Sequence, residues 1–225
     1  MTRLRLALFD VDGTLVDSQT HIKTSMIRAF TAEGLVPPAD AAILAIVGLS
    51  LPVAIAVLAP DLPAPQQARM VETYKDTYAS FRGELGAAHS PLFPGALDCL
   101  DALARDDHVL IGIATGKSRR GLVHLLDLHG LAGRFVTMQV SDDHPSKPHP
   151  AMVLAALAET GVAPGDAVMI GDTSFDMEMG AAAGVRRLGV TWGYHRPQAL
   201  LSAGAERMAA DFAEVPAHLK DLWEG

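Results

Sequence analysis

Four short apolar runs in this chain each lead to residues that a protein core would not accept. Leu6-Ala7-Leu8-Phe9 runs into Asp10 and Asp12. Val109 to Ala114 runs into Thr115-Gly116-Lys117. The weaker run Phe135 to Val140 is followed shortly by Ser146-Lys147-Pro148, and Ala167 to Ile170 runs into Gly171-Asp172-Thr173-Ser174-Phe175-Asp176. A fifth run, Arg187 to Val190, precedes Trp192 and Tyr194. Runs of this length between polar and glycine residues predict buried parallel strands.

Helical spacing fills the intervals. Leu97, Leu100 and Leu103 share a face, as do Leu122, Leu125, Leu126 and His129. Another helix, around Met152, Ala155 and Ala156, is opened by Pro148 and Pro150 and closed by Gly161. Alternating strands and helices predict an α/β fold with a mainly parallel, Rossmann-like sheet, which places ligands at the carboxyl ends of its strands. The interval from Asp10 to Thr115 is far longer than the ~30 residues of a plain strand-helix-strand unit. It reads as helices alone. One of them carries Val71, Tyr74, Tyr78, Phe81 and Leu85 as a packing stripe. Ser90 to Gly95 looks like the return to the main body. The expected domains are therefore a catalytic core at 1–16 and 91–225 and an inserted helical cap at 17–90.

The chain has 225 residues, of which 49% are hydrophobic, enough for a substantial core. Its net charge of −8 argues against nucleic-acid or membrane-surface partners, which call for a basic face. No stretch approaches the roughly 20 apolar residues of a membrane span. The apolar run after Arg3 and Arg5 is too short for a signal peptide. Cys99 is the one cysteine, so no internal disulfide can form, and a core position is expected for it. The expected location is cytoplasmic.

In a parallel sheet the polar strand ends converge on one edge. Three or four carboxylates, one hydroxyl and one ammonium would then share a cleft. Crowded carboxylates raise each other's pKa values, and a hard divalent cation relieves them. Magnesium with Lys147 and Thr115 forms a cradle suited to a phosphoryl group. One carboxylate can attack phosphorus, and a second can protonate the leaving oxygen and then deprotonate water.

"DVDGT" at 10–14, "ATG" at 114–116, Lys147 in "SKP" and "GDTSFD" at 171–176 resemble, in order, the four motifs of the haloacid dehalogenase superfamily. The position of the helical segment resembles the cap that joins the core just after the first motif. The resemblance implies Asp10 as nucleophile and Asp12 as general acid and base, with the Asp12 backbone carbonyl on the metal. It implies Asp10 and Asp172 as carboxylate ligands of magnesium, with Asp176 steadying the metal waters or Lys147. Thr115 and the Gly116 amide would hold the phosphoryl oxygens, and Lys147 would neutralise charge. Gly48-Leu49-Ser50 resembles the loop that reads the substrate in capped relatives. Superfamily branches that attack carbon, or cleave phosphonates, lack the second aspartate, so Asp12 points to phosphoryl transfer.

The expected protein is a magnesium-dependent phosphatase of a small phosphorylated metabolite, similar to phosphoglycolate phosphatases, as a monomer or homodimer. A β-phosphoglucomutase-like isomerase is the nearest alternative. The loop at 48–50 has no Arg or Lys, and Thr14 stands where the mutases often carry Val; both favour hydrolysis. A receiver-like signalling domain is a more distant alternative. His144 and His149 match no zinc spacing. Trp192 and Tyr194 are expected in packing, and Arg119-Arg120 and Arg186-Arg187 as solvated pairs.

Overall fold

β1 (Arg5–Phe9) shows why the chain layers as it does. Successive side chains on a strand point to opposite faces. Ala7 and Phe9 enter one apolar cluster, and Leu6 and Leu8 enter another on the opposite side. All four are buried, so β1 must be central. In the computed structural model, which describes residues 3–85 and 90–224 without the side chains of 82–85, β1 is central.

The other strands are β2 (Val109–Thr115), β3 (Thr137–Val140), β4 (Ala167–Gly171), β5 (Arg186–Val190) and β6 (Arg207–Ala209). They form one six-stranded sheet in the order β3-β2-β1-β4-β5-β6, with every neighbouring pair parallel. This is the α/β, Rossmann-like sheet expected. The short edge strand β6 was not expected. Only three residues long, it carries no apolar run, and its pairing with Leu188, Gly189 and Val190 places it.

Helices α5 (Ala96–Leu103), α6 (Arg119–Leu128) and α10 (Val215–Glu224) cover the Phe9 face, through Leu100, Leu122, Leu126, Leu219 and others. Helices α7 (Ala151–Thr160) and α8 (Ser174–Ala182) cover the Leu8 face, through Met152, Val153, Ala156 and Met179. Each such Leu, Met or Phe contributes about 1.5–3 kcal/mol by leaving water. Gly161, at φ +69°, ends α7 in the left-handed cap that Cβ-bearing residues avoid. A short helix, α9 (Pro197–Ser202), precedes β6. Cys99 is buried on α5, and burial pushes its thiol up to about 12.

Between β1 and α5 the described residues form α1 (Gln19–Ala32), α2 (Asp40–Leu44), α3 (Leu51–Leu58) and α4 (Ala64–Leu85). These helices have a cluster of their own, built on Met26, Ile43, Ile55 and Met70. Tyr74 and Tyr78 of the predicted stripe pack against it. The chain leaves and rejoins the sheet side by side. Asp17 N donates to the Pro91 carbonyl at 2.9 Å, Phe93 N to the Leu15 carbonyl at 3.0 Å, and Val16 bridges Leu92.

Candidate active site

Central placement of β1 between β2 and β4 puts three strand ends together. Asp10 follows β1, Thr115 ends β2 and Asp172 follows β4. The loop after β3 brings in Lys147. Asp10, Thr115, Lys147, Asp172 and Asp176 are all buried, each at most 1% exposed.

Lys147 Nζ lies 2.6 Å from Asp176 Oδ1 and 3.0 Å from Asp10 Oδ1. Asp176 is fully engaged. Its Oδ1 accepts from Lys147, and its Oδ2 accepts from the amide and hydroxyl of Thr173 at 3.1 and 2.7 Å. The Thr173 hydroxyl in turn caps α8, so one carboxylate closes the helix and holds the lysine. Asp172 accepts from the Thr14 hydroxyl at 2.9 Å and from the Tyr194 amide at 2.8 Å. Asp10 differs from both. Neither of its buried oxygens accepts a hydrogen bond of good geometry.

One oxygen each from Asp10, Asp172 and Asp176 lies within 4.8 Å of the others. Burial pushes Asp10 up to about 7; Lys147 opposes that rise and Asp176 adds to it. Burial, then the charges of Asp10 and Asp176, hold Asp172 well above the usual carboxylate range. Burial would pull Lys147 down, but Asp10 and Asp176 outweigh it and keep the ammonium charged. Three crowded carboxylates against one shared lysine leave a deficit of positive charge. Asp10, which meets the Lys147 ammonium at 3.0 Å but accepts no hydrogen bond of good geometry, suits with Asp172 a hard divalent cation in chemistry and spacing. Gly13, at φ +88°, belongs to the same construction, because a Cβ there would fall 2.3 Å from Asp172 Oδ2.

The Asp12 side chain stands outside that triad. It accepts from Lys117 Nζ at 2.9 and 2.8 Å and from the Ser18 hydroxyl at 2.6 Å. Ser18 N donates to the Tyr194 hydroxyl at 3.0 Å. A cavity of about 460 Å³ opens over Asp10, Asp12, Thr115 and Gly116. Gly48, Leu49 and Ser50 line it, joined by Met26 and Tyr74 from the helical segment. Ser50 N donates to the Ser146 hydroxyl at 2.8 Å, next to Lys147. A Cβ on Gly116 would lie 2.5 Å from the Gly48 carbonyl oxygen and 2.8 Å from that of Leu49. The loop at 48–50 thus sits directly on the β2 end.

Several of these pairings had no sequence signal. Lys117, Thr14 and Tyr194 are distant in the chain from the aspartates they bind, and Ser18 reaches back six residues to Asp12. His195 accepts from Ser174 N at 3.2 Å through Nδ1, which leaves Nε2 as donor to the Ala45 carbonyl at 3.2 Å. Trp192 donates to the Thr14 carbonyl at 3.0 Å and packs on Phe212, a packing role as expected. Arg119 and Arg120 are exposed, as expected, with Arg119 paired to Asp143. Arg186 and Arg187 differ from expectation: they are half-buried and both bind Glu206. His144 binds Gln139, His149 accepts from the Ala151 amide, and Lys23 pairs with Asp40.

This fold and strand-end site place the chain in the haloacid dehalogenase-like hydrolase family, whose profile matches residues 7–190. It is an enzyme of the hydrolase class. Among curated relatives, a probable phosphatase, IndB, of Dickeya dadantii is 34% identical, with 93% of this chain and 91% of that protein covered. A phosphoglycolate phosphatase of Yersinia pseudotuberculosis is 27% identical over 94% of this chain and 91% of its own. A haloacid dehalogenase-like hydrolase structure from Streptococcus pneumoniae superposes with a TM-score of 0.82 at 28% identity, covering 97% of this chain and 99% of that one. Among the described residues no helix is long and apolar enough to cross a membrane.

Proposed function

We propose that the protein is a magnesium-dependent phosphatase that hydrolyses a small phosphomonoester through an aspartyl-phosphate on Asp10. The observation that carries this reading is the Asp10 carboxylate, buried, without hydrogen bonds of good geometry, and set between Lys147 and Asp172. A carboxylate so placed is freer to attack than its neighbours, whose oxygens are engaged by protein donors.

Asp10 and Asp172 would hold magnesium through their carboxylates, and Asp12 through its backbone carbonyl. Bound there, the ion supplies charge stabilisation for the phosphoryl oxygens. The chain's own residues divide the remaining work. Lys147 screens Asp10 from Asp176 and offsets charge on the transferring group. Thr115 and the Gly116 amide hold phosphoryl oxygens at the β2 end. Asp10 attacks phosphorus, and the phosphorus–oxygen bond of the ester breaks. Asp12 gives a proton to the departing oxygen, then takes one from the water that cleaves the acyl phosphate. Asp176 keeps Lys147 in register.

Helices α1 to α4 would act as a cap that excludes bulk water and restricts the substrate to small molecules. Gly48, Leu49 and Ser50 would contact the ester's leaving group. The named phosphoglycolate phosphatase among the relatives favours 2-phosphoglycolate as the first substrate to try. A sugar phosphomutase activity is the alternative; the absence of Arg and Lys from 48–50 weighs against it.

The test is phosphate release from a panel of small phosphomonoesters, with magnesium and with EDTA, beside the Asp10→Asn variant. Magnesium-dependent release that this variant abolishes is the expected result. Turnover by Asp10→Asn near the wild-type rate overturns the assignment. Interconversion of sugar phosphate isomers with little free phosphate moves the reading to a mutase.

A further inference from the structure

Two lysines stand at the strand ends, Lys147 buried and Lys117 part-buried, and the proposed reaction uses only the first. Lys117 lies two residues beyond Thr115, and its side chain is 9% exposed. Burial would lower its proton affinity, but Asp12 and Tyr78 outweigh burial and keep it charged. An ammonium has three protons to donate. Lys117 Nζ lies 2.9 and 2.8 Å from the two oxygens of Asp12 and 3.4 Å from the Tyr78 hydroxyl. It also stands 5.1 Å from the centre of the Tyr78 ring. The ammonium is thus engaged by Asp12 and Tyr78. Its charge acts on Asp12.

We infer that Lys117 is a positioning residue, which orients the Asp12 carboxyl group for proton transfer and is held in that place by Tyr78 of α4. The inference rests on the phosphatase reading, since it assigns Asp12 the proton. It goes beyond that reading by naming what aims Asp12. The Ser18 hydroxyl, at 2.6 Å from Asp12 Oδ1, binds one oxygen only and leaves the carboxyl free to rotate about that bond. Lys117 spans both oxygens and fixes the plane. Tyr78 belongs to the helical segment, so this setting requires α4 to be seated over the β2 end.

A lysine that serves the acid has a signature that a phosphate-binding or merely structural lysine lacks. Its removal should cost most where the leaving group needs a proton. The experiment compares kcat/KM, which reports the steps up to acyl-phosphate formation, for p-nitrophenyl phosphate and for the best alkyl phosphate of the panel. Wild-type turnover of both esters, with its magnesium dependence, tests the phosphatase reading by itself. In Lys117→Met the alkyl ester should lose at least roughly tenfold more kcat/KM than the aryl ester, within the 10²–10⁴-fold range of general acid catalysis. Lys117→Arg, which can still span a carboxylate, should recover part of the alkyl-ester rate. Tyr78→Phe should shift the same ratio in the same direction by a smaller factor. Equal losses on both esters in Lys117→Met would place Lys117 on the phosphoryl group or in the fold and overturn the inference. Unchanged rates on both would overturn it as well.

Discussion

The Lys147 ammonium is nearer to Asp176, at 2.6 Å, than to Asp10, at 3.0 Å, and all three side chains are out of contact with solvent. Lys147 is therefore held from the β4 side and offered to the β1 side. Asp176 also closes the first turn of α8. Replacing it with alanine breaks a buried ion pair and a capping box together. Asp176→Ala should destabilise the protein by about 3–5 kcal/mol, the usual cost of removing one partner of a buried pair. Urea unfolding measures it, and a loss below 1 kcal/mol would show that Asp10 alone satisfies the lysine.

Asp10 makes stability depend on pH in a defined direction. Its carboxyl is raised by burial from an ordinary 3.8 to about 7. Between those values the native state binds more protons than the unfolded chain, so stability falls as pH rises through that window. Metal-free protein in EDTA should lose thermal midpoint from about pH 4 to above pH 7, and Asp10→Asn should flatten that slope. Magnesium should stabilise wild-type protein more at pH 8 than at pH 6, by binding the ionised form. A slope unaffected by Asp10→Asn would assign the dependence elsewhere.

Cys99 provides a probe that does not touch the site. With its thiol raised to about 12 by burial, almost no thiolate exists at pH 8. Native protein should therefore resist a disulfide reagent, and the thiol should become reactive in step with urea unfolding. Fast modification of native protein at pH 8 would mean that α5 opens locally.

Gly116→Ala tests the contact between the 48–50 loop and the sheet. The new methyl group would meet two backbone carbonyl oxygens at 2.5 and 2.8 Å, and neither can rotate away as a side chain would. The loop must shift, and a cost of about 1–3 kcal/mol follows from overpacking. The shift should also raise KM for the preferred ester more than for p-nitrophenyl phosphate. An unchanged KM for every ester would remove the loop from substrate contact.

Local chemistry explains which parts of the structure were readable in the sequence. Buried parallel strands leave continuous apolar runs, so β1, β2, β4 and most of β5 stood out. β6 did not, because three residues on a sheet edge have no pattern of their own. Asp10, Thr115, Lys147 and Asp172 were legible for a related reason: each interrupts or follows an apolar run where packing gives it no role. Their partners were not. Tyr194 binds Asp172 through its backbone amide, which any residue could supply. Lys117 and Ser18 look like ordinary helix-start residues until the fold sets them beside Asp12. Arg186 and Arg187 read as solvated because Glu206, their common partner, arrives with the unpredicted β6.

The paired crossing at Asp17 and Pro91 has a consequence for how such a chain can change. Because the two ends of the helical segment are hydrogen-bonded to each other, the sheet meets that segment as a loop already closed. Closure entropy grows only slowly with the number of residues between fixed ends. Helices can then be lengthened, traded or rebuilt beyond that doorway with little effect on the strand register below it. Selection can rework what is admitted to the cleft while leaving intact the carboxylates that act on it.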